Sequence, residues 1–174
     1  MDGKRLIGLA LIALSVVITG GCGSTGSGVE LGGFGSYLEG GDLGEGYGVG
    51  AKLELNPIDM ISIDGRVSYI EFDEDVDAVP LEVAGLLNLP LFWEHFVPYA
   101  GVGVGYYFLD HDDVDIDDEW GYFPLLGVEV GFQKFSLMAE ARYILLETDV
   151  DDGVDSGKAD MEGFGINLGA IIRF

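Results

Sequence analysis

The chain has 174 residues, of which 31 are acidic, 8 are basic and one is a cysteine, so its formal net charge is −23. This length allows one domain, a single cysteine excludes a disulfide scaffold, and the acidity excludes a nucleic-acid binder, whose surface must be basic. Strongly acidic chains are often disordered, but 48% of these residues are hydrophobic, which argues against disorder. The acidic and the apolar residues must therefore occupy separate parts of the molecule.

The first residues are typical of an export signal. Lys4 and Arg5 precede the uncharged run 6–18, which is too short to cross a bilayer comfortably but suits the hydrophobic region of a secretory signal. We therefore predict a signal peptide over residues 1–21.

Residues 22–28 are predicted to form a flexible polar linker, because they consist of glycine, serine, threonine and one cysteine. The small residues before Cys22 resemble a bacterial lipoprotein processing site, at which Cys22 would be lipidated, although Thr19 stands where that motif usually has leucine. The alternative is ordinary signal-peptide cleavage nearby, with Cys22 removed or left as a free thiol.

Alternation of apolar and polar residues with a period of two dominates the rest of the chain. In the clearest run, 47–55, every second residue is apolar and the residues between them are glycine, lysine or glutamate. Such alternation predicts β-strands, and we find no amphipathic helix among these residues. Eight strands are predicted, at residues 29–39, 47–55, 61–69, 81–89, 100–108, 122–132, 137–145 and 164–174.

Two closed barrels fit eight alternating strands: a soluble barrel with an apolar interior, and a membrane barrel with an apolar exterior and a polar lumen. The polar faces carry few charges and many glycines, which is a poor surface for water. Runs of about ten residues also match tilted membrane strands. We therefore predict an all-β, eight-stranded antiparallel up-and-down transmembrane β-barrel over residues 29–174.

The connections between the strands support this prediction. If the N-terminus is periplasmic, residues 71–77, 110–119 and 147–162 all connect strands on the outer side of the membrane. They contain 5, 7 and 7 acidic residues, together 19 of the 31. The connections on the periplasmic side are residues 56–60, 90–98 and 133–134. We therefore expect acidic extracellular loops and periplasmic termini.

Charged residues on the polar faces of the strands predict a second feature, a network of ion pairs inside the barrel. An eight-stranded barrel is narrow enough for side chains to fill it, and charges enclosed there must be paired. The predicted lumen charge network consists of Lys52, Glu54, Asp64, Arg66, Glu82, Glu129, Glu140, Arg142 and Arg173. We expect it to be structural, and a path for protons or ions is the alternative.

The last strand resembles the signal that the outer-membrane barrel assembly machinery recognises. The matching positions are Asn167, Gly169, Ile172 and the terminal Phe174. Residues 97–106 are in turn similar to the fifth strand of the small OmpA/OmpX-like outer membrane protein beta-barrel domain family. The resemblance covers residues 29–174, and it implies an eight-stranded fold, the bacterial outer membrane and this assembly route.

The acidic loops raise the possibility of calcium binding, because Ca²⁺ takes six to eight oxygen ligands. The densest run of carboxylates provides the candidate ligands Asp110, Asp112, Asp113, Asp115, Asp117 and Asp118. No EF-hand pattern fits this run, so we expect weak calcium binding at most and no cofactor. A solvated acidic surface is the alternative.

The expected function is structural or interactive, through acidic loops that would meet an unidentified ligand at the cell surface. Outer-membrane lipids and the assembly machinery are the expected partners, and the chain is expected to be a monomer. A narrow porin-like channel for small solutes or ions is the main alternative. An enzyme is a distant one, because His95 would lie on the periplasmic side and His111 in an acidic loop without a matching serine.

Overall fold

A computed structural model describes residues 28–41, 44–58, 60–72, 76–89, 95–111, 119–132, 134–146 and 163–174. Cys22, the predicted signal peptide and the predicted linker up to residue 27 lie outside these ranges, and Gly28 begins the first strand. The strands are β1 (Gly28–Gly40), β2 (Glu45–Ile58), β3 (Ile61–Phe72), β4 (Val76–Asn88), β5 (Phe96–His111), β6 (Glu119–Phe132), β7 (Phe135–Leu146) and β8 (Gly163–Arg173). Within the described ranges, no helix is long and apolar enough to cross a membrane.

The eight strands form one closed barrel in sequence order, and every neighbouring pair is antiparallel. The barrel closes where β1 pairs with β8, from Glu30 opposite Arg173 to Gly40 opposite Gly163. We call this pairing the closing seam. The predicted eight-stranded up-and-down barrel is confirmed.

The period-two alternation separates an apolar outer face from a packed interior. Large apolar side chains on the outside remain highly exposed, for example Val49 at 68%, Val102 at 69% and Leu126 at 66%. A continuous apolar surface of this kind is characteristic of the lipid-facing band of a membrane barrel.

The two ends of the barrel differ in their connections. At the terminal end lie Gly28, Phe174 and the connections between β2 and β3, β4 and β5, and β6 and β7. The other four connections leave the opposite end, which we call the loop end. In the first of these, Gly41 and Gly44 have positive φ angles of 42° and 74°, which glycine adopts without the strain that a side chain would add.

The strands extend further into the acidic segments than predicted. Glu71 lies in β3 and Asp77 in β4, while Asp110 belongs to β5 and Glu119 to β6. Strand pairing therefore continues into the acidic segments, where Glu71 pairs with Asp77 and Asp77 pairs with Asp110. The connections at residues 73–75 and 112–118 are accordingly shorter than predicted, whereas the connection at residues 147–162 has its predicted length.

Candidate functional site in the barrel interior

All nine residues of the predicted lumen charge network lie on the inward faces of their strands. Eight of them are buried, including Lys52 at 1% exposure and Arg142 at 2%, and Arg173 is half-buried near the terminal end. Burial of so many charged groups is tolerable only where each finds a partner of opposite charge or a hydrogen bond.

The largest group of ion pairs, the central cluster, joins Lys52, Glu54, Asp64, Arg66 and Glu140. Lys52 Nζ lies 3.0 Å from Glu54 Oε2 and 2.9 Å from Asp64 Oδ2. Arg66 contacts the same Asp64 oxygen at 2.6 Å and Glu140 Oε1 at 2.5 Å. The cluster therefore links β2, β3 and β7 across the interior.

Neutral donors complete the environment of Glu140. The hydroxyl of Tyr99 donates to Glu140 Oε2 at 3.1 Å, and the amide of Asn167 donates to Oε1 at 3.0 Å. Asn167 is fully buried, so the polar residue of the predicted assembly signal contacts the interior network in the folded barrel.

A second cluster, the Arg142 cluster, lies closer to the loop end. Arg142 Nη1 donates to both carboxylate oxygens of Glu82, at 2.7 and 2.6 Å, and the Tyr107 hydroxyl donates to Glu82 Oε1 at 2.9 Å. The Arg142 guanidinium also lies 5.7 Å from the centre of the Phe123 ring, within reach of a cation–π interaction.

A third cluster, the seam cluster, closes the terminal end. Arg173 Nε donates to Glu30 Oε1 at 3.0 Å and Arg173 Nη2 donates to Glu129 Oε2 at 2.7 Å. Asn56 also donates to Glu30 Oε1, at 3.0 Å. Sequence reasoning missed Glu30, because glycines obscure the alternation in β1, although its even-numbered position matches that of the inward-facing Phe34.

The interior beyond the Arg142 cluster is apolar, which differs from the predicted polar lumen. Side chains from β1, β3, β4 and β7 pack there, and each is at most 6% exposed. The members of this apolar layer are Leu38, Ile70, Phe72, Val76, Ala78 and Ile144. Apolar groups fill a narrow barrel without requiring charge partners, and Ile70 and Phe72 lie just beyond the run from which β3 was predicted.

Inward-facing glycines make room for bulky neighbours. A methyl carbon placed on Gly127 would lie 2.2 Å from the Tyr99 ring, and one on Gly103 would lie 2.4 Å from the Phe123 ring. The same substitution at Gly50 would meet the ring of Phe34 at 2.3 Å. These glycines therefore allow aromatic side chains to cross the narrow interior.

The four predicted assembly-signal residues divide between the two faces of β8. Asn167 and Gly169 are on the inward side, while Ile172 and Phe174 are 50% and 81% exposed on the outside. A methyl carbon on Gly169 would lie 2.5 Å from the carbonyl oxygen of Gly33, so this position requires glycine in the folded barrel.

Of the candidate calcium ligands, only Asp110 belongs to the described residues, and there only its backbone, in β5, is described. The other five candidates lie outside the described residues. Among the side chains that the structure describes, no group of three or more His, Cys, Asp or Glu residues is arranged to hold a metal ion. His95 immediately precedes β5 and His111 ends it, so the two residues are separated by the length of the strand and do not form a common site.

Comparisons with solved structures agree with this architecture. Neisserial surface protein A superposes with a TM-score of 0.65 at 14% identity, over 88% of this chain and 100% of that one. The N-terminal β-barrel domain of Pseudomonas aeruginosa OprF gives 0.59 at 14% identity, over 84% and 97%. Ail, the attachment invasion locus protein of Yersinia pestis, gives 0.54 at 16% identity, over 85% and 97%.

No curated protein matches the chain by sequence. The family model for the outer membrane protein beta-barrel domain matches residues 9–174, and the closed eight-stranded barrel with its apolar exterior has the architecture that this description requires. The chain therefore belongs to the outer membrane protein beta-barrel domain family, a family of bacterial outer-membrane proteins.

Proposed function

We propose that this protein is a closed outer-membrane barrel that acts through contacts at its loop end, and not through transport or catalysis. The observation that carries the proposal is the packed interior. The half-buried seam cluster, two clusters of buried ion pairs and the apolar layer lie in this order from the terminal end to the loop end, and further apolar side chains pack beside the ion pairs. Such an interior suits a rigid support for the loops.

The packed interior argues against the alternative of a narrow channel. An aqueous path through an eight-stranded barrel would need space that these side chains occupy, and wide channels generally require more strands. The ion pairs of Arg66 with Glu140 and of Arg142 with Glu82 cross the lumen directly, with all four side chains buried. The apolar layer adds a region that hydrated ions would avoid.

The charge distribution supports an orientation with the loop end outside the cell and both termini in the periplasm. Residues 71–77, 110–119 and 147–162 contain 19 of the 31 acidic residues and all belong to the loop end. Lipidation of Cys22 would then add an anchor on the periplasmic side, six residues before β1 begins at Gly28.

The acidity of the loop end favours a cationic ligand, such as a lysine- or arginine-rich surface. Opposite charges attract over roughly 10 Å at moderate ionic strength and thereby increase encounter rates. The names of Neisserial surface protein A and of Ail refer to a surface and to attachment, and a contact role at the loop end would be of the same kind.

Binding of a fluorescent lysine-rich peptide to cells that carry the protein would test this role. We expect binding that added salt weakens, and a loss of about fivefold when Asp151→Asn and Asp152→Asn are combined, since an exposed ion pair contributes up to about 1 kcal/mol. The matched control is Asp59→Asn with Glu94→Gln, which removes two charges from the terminal end. Equal binding by both variants, or by cells without the protein, would overturn the proposal.

A further inference from the structure

The closing seam is unusually rich in glycine. Of its eleven paired positions, six contain at least one glycine. These six pairs are Gly32–Ile171, Gly33–Ala170, Phe34–Gly169, Gly35–Leu168, Leu38–Gly165 and Gly40–Gly163. Glycine offers no side chain for cross-strand contacts, so at these six positions side-chain pairing contributes little to the choice of register.

The pairing error that such a seam permits most readily is a shift of β8 by two residues relative to β1. It preserves the alternation of inward and outward faces, unlike a shift of one residue, which turns every side chain to the wrong face. The apolar pattern therefore cannot by itself distinguish the observed register from its neighbours.

One pair in the seam does carry a specific interaction. Glu30 and Arg173 face each other directly, and they are the only oppositely charged pair among the eleven seam positions. Arg173 Nε lies 3.0 Å from Glu30 Oε1, and the same guanidinium contacts Glu129 on β6 at 2.7 Å. Arg173 thus connects the last strand both to the first strand and to β6, two strands away.

The seam cluster would not survive a two-residue shift. Arg173 would then face Gly32 or Gly28, neither of which offers a charge, and Glu30 would lose its ion pair at a position where it is 7% exposed. A buried carboxylate without its cation is strongly unfavourable. The observed register is the one that satisfies Glu30.

We propose that Arg173 is a positioning residue that selects the register in which β1 and β8 close the barrel. This role is separate from the predicted assembly signal, which comprises Asn167, Gly169, Ile172 and Phe174 and omits position 173. It also does not depend on the proposed contacts at the loop end.

Disulfide mapping of the seam tests the proposal in the full chain with Cys22→Ser. Gly35→Cys with Leu168→Cys reports the observed register, because these outward residues are direct partners. Gly35→Cys with Ala170→Cys or with Ile166→Cys reports a shift of two residues in either direction. Only folded monomers are scored, identified by their heat-dependent gel mobility.

With Arg173 present, we expect the matched pair to cross-link in far higher yield than either shifted pair. Arg173→Gln and Glu30→Gln should each lower the ratio of matched to shifted cross-links about tenfold, which corresponds to about 1.4 kcal/mol of register preference. Arg173→Lys should retain the matched register. Ile70→Ala, which destabilises the interior far from the seam cluster, should also leave the ratio unchanged.

The proposal would be overturned if the ratio of matched to shifted cross-links were unchanged in Glu30→Gln. It would also be overturned if Ile70→Ala lowered this ratio as much as Glu30→Gln does, because such a fall would indicate a general loss of barrel stability. If Arg173→Gln yields no folded barrel, Glu30→Gln decides, because it removes the seam contact and leaves the contact between Arg173 and Glu129 in place.

Discussion

Arg142 and Glu82 lie 60 residues apart in sequence, and inside the barrel the Arg142 Nη1 atom contacts both oxygens of the Glu82 carboxylate. Both side chains are buried, and the contact spans the interior between β7 and β4. It shows one way in which the interior is built, since Arg142 and likewise Arg66 reach across the lumen to a carboxylate on a distant strand, whereas Lys52 pairs within β2 and with the neighbouring β3.

Arg142→Ala should therefore be strongly destabilising. It leaves Glu82 buried without its cation, and breaking a buried pair in this way typically costs about 3–5 kcal/mol. Urea unfolding in lipid vesicles measures the loss. Lys134→Ala, in the exposed turn after β6, is the control and should change stability by less than about 0.5 kcal/mol. A similar effect for the two variants would contradict the structural role of the pair.

Gly127→Ala should destabilise the barrel by about 1–3 kcal/mol, the usual effect of overpacking a core. The added methyl group would overlap the ring of Tyr99, whose hydroxyl donates to Glu140. Gly65→Ala is the matched control, because a methyl carbon there has no neighbour within 4 Å. Equal unfolding midpoints for the two variants would show that the interior accommodates an added methyl group without overpacking.

Ile70→Ala should lower the free energy of unfolding of the barrel, because Ile70 belongs to the apolar layer. Ile70 is fully buried, and truncating such a side chain costs about 2–5 kcal/mol. Val49→Ala removes apolar volume from a side chain that is 68% exposed on the outer face, so it should have a clearly smaller effect. If Val49→Ala proved the more damaging, the loop end of the lumen would not be packed as described.

Substitutions at Asn167 and Phe174 should have different effects, one on the stability of the folded barrel and the other on its assembly in cells, although both residues match the predicted assembly signal. Asn167→Ala removes a buried donor to Glu140 and should lower the stability of refolded protein by about 1–3 kcal/mol. Phe174→Ala changes an outward residue that is 81% exposed, so it should reduce assembly in cells while refolding in vesicles stays nearly normal. If refolding in vesicles failed for Phe174→Ala and not for Asn167→Ala, Phe174 would be the residue needed for folding, which would contradict this prediction.

The alternation of residues allowed the strands and the inward charges to be predicted, because a period of two assigns each side chain to a face. It did not predict which charges meet. Arg66 pairs with Glu140, 74 residues away, and that contact depends on how far the strands are staggered around the barrel and on side-chain length.

Two other features escaped prediction for local reasons. Glu30 lies in a glycine-rich strand whose faces are hard to distinguish, although Phe34 and Glu30 share one face. Ile70 and Phe72 follow the end of the apparent run in β3, where inward positions change from polar to apolar. An interior that changes character along its axis cannot be recognised from the average composition of a strand face.

Single-channel recording in planar bilayers tests the central claim, a barrel closed by its own side chains, most directly. The refolded full chain should give no steady conductance steps across a range of voltages, while a large porin in the same bilayers gives clear steps. Steady, reproducible steps of the size expected for solute passage would contradict the closed interior and favour a channel.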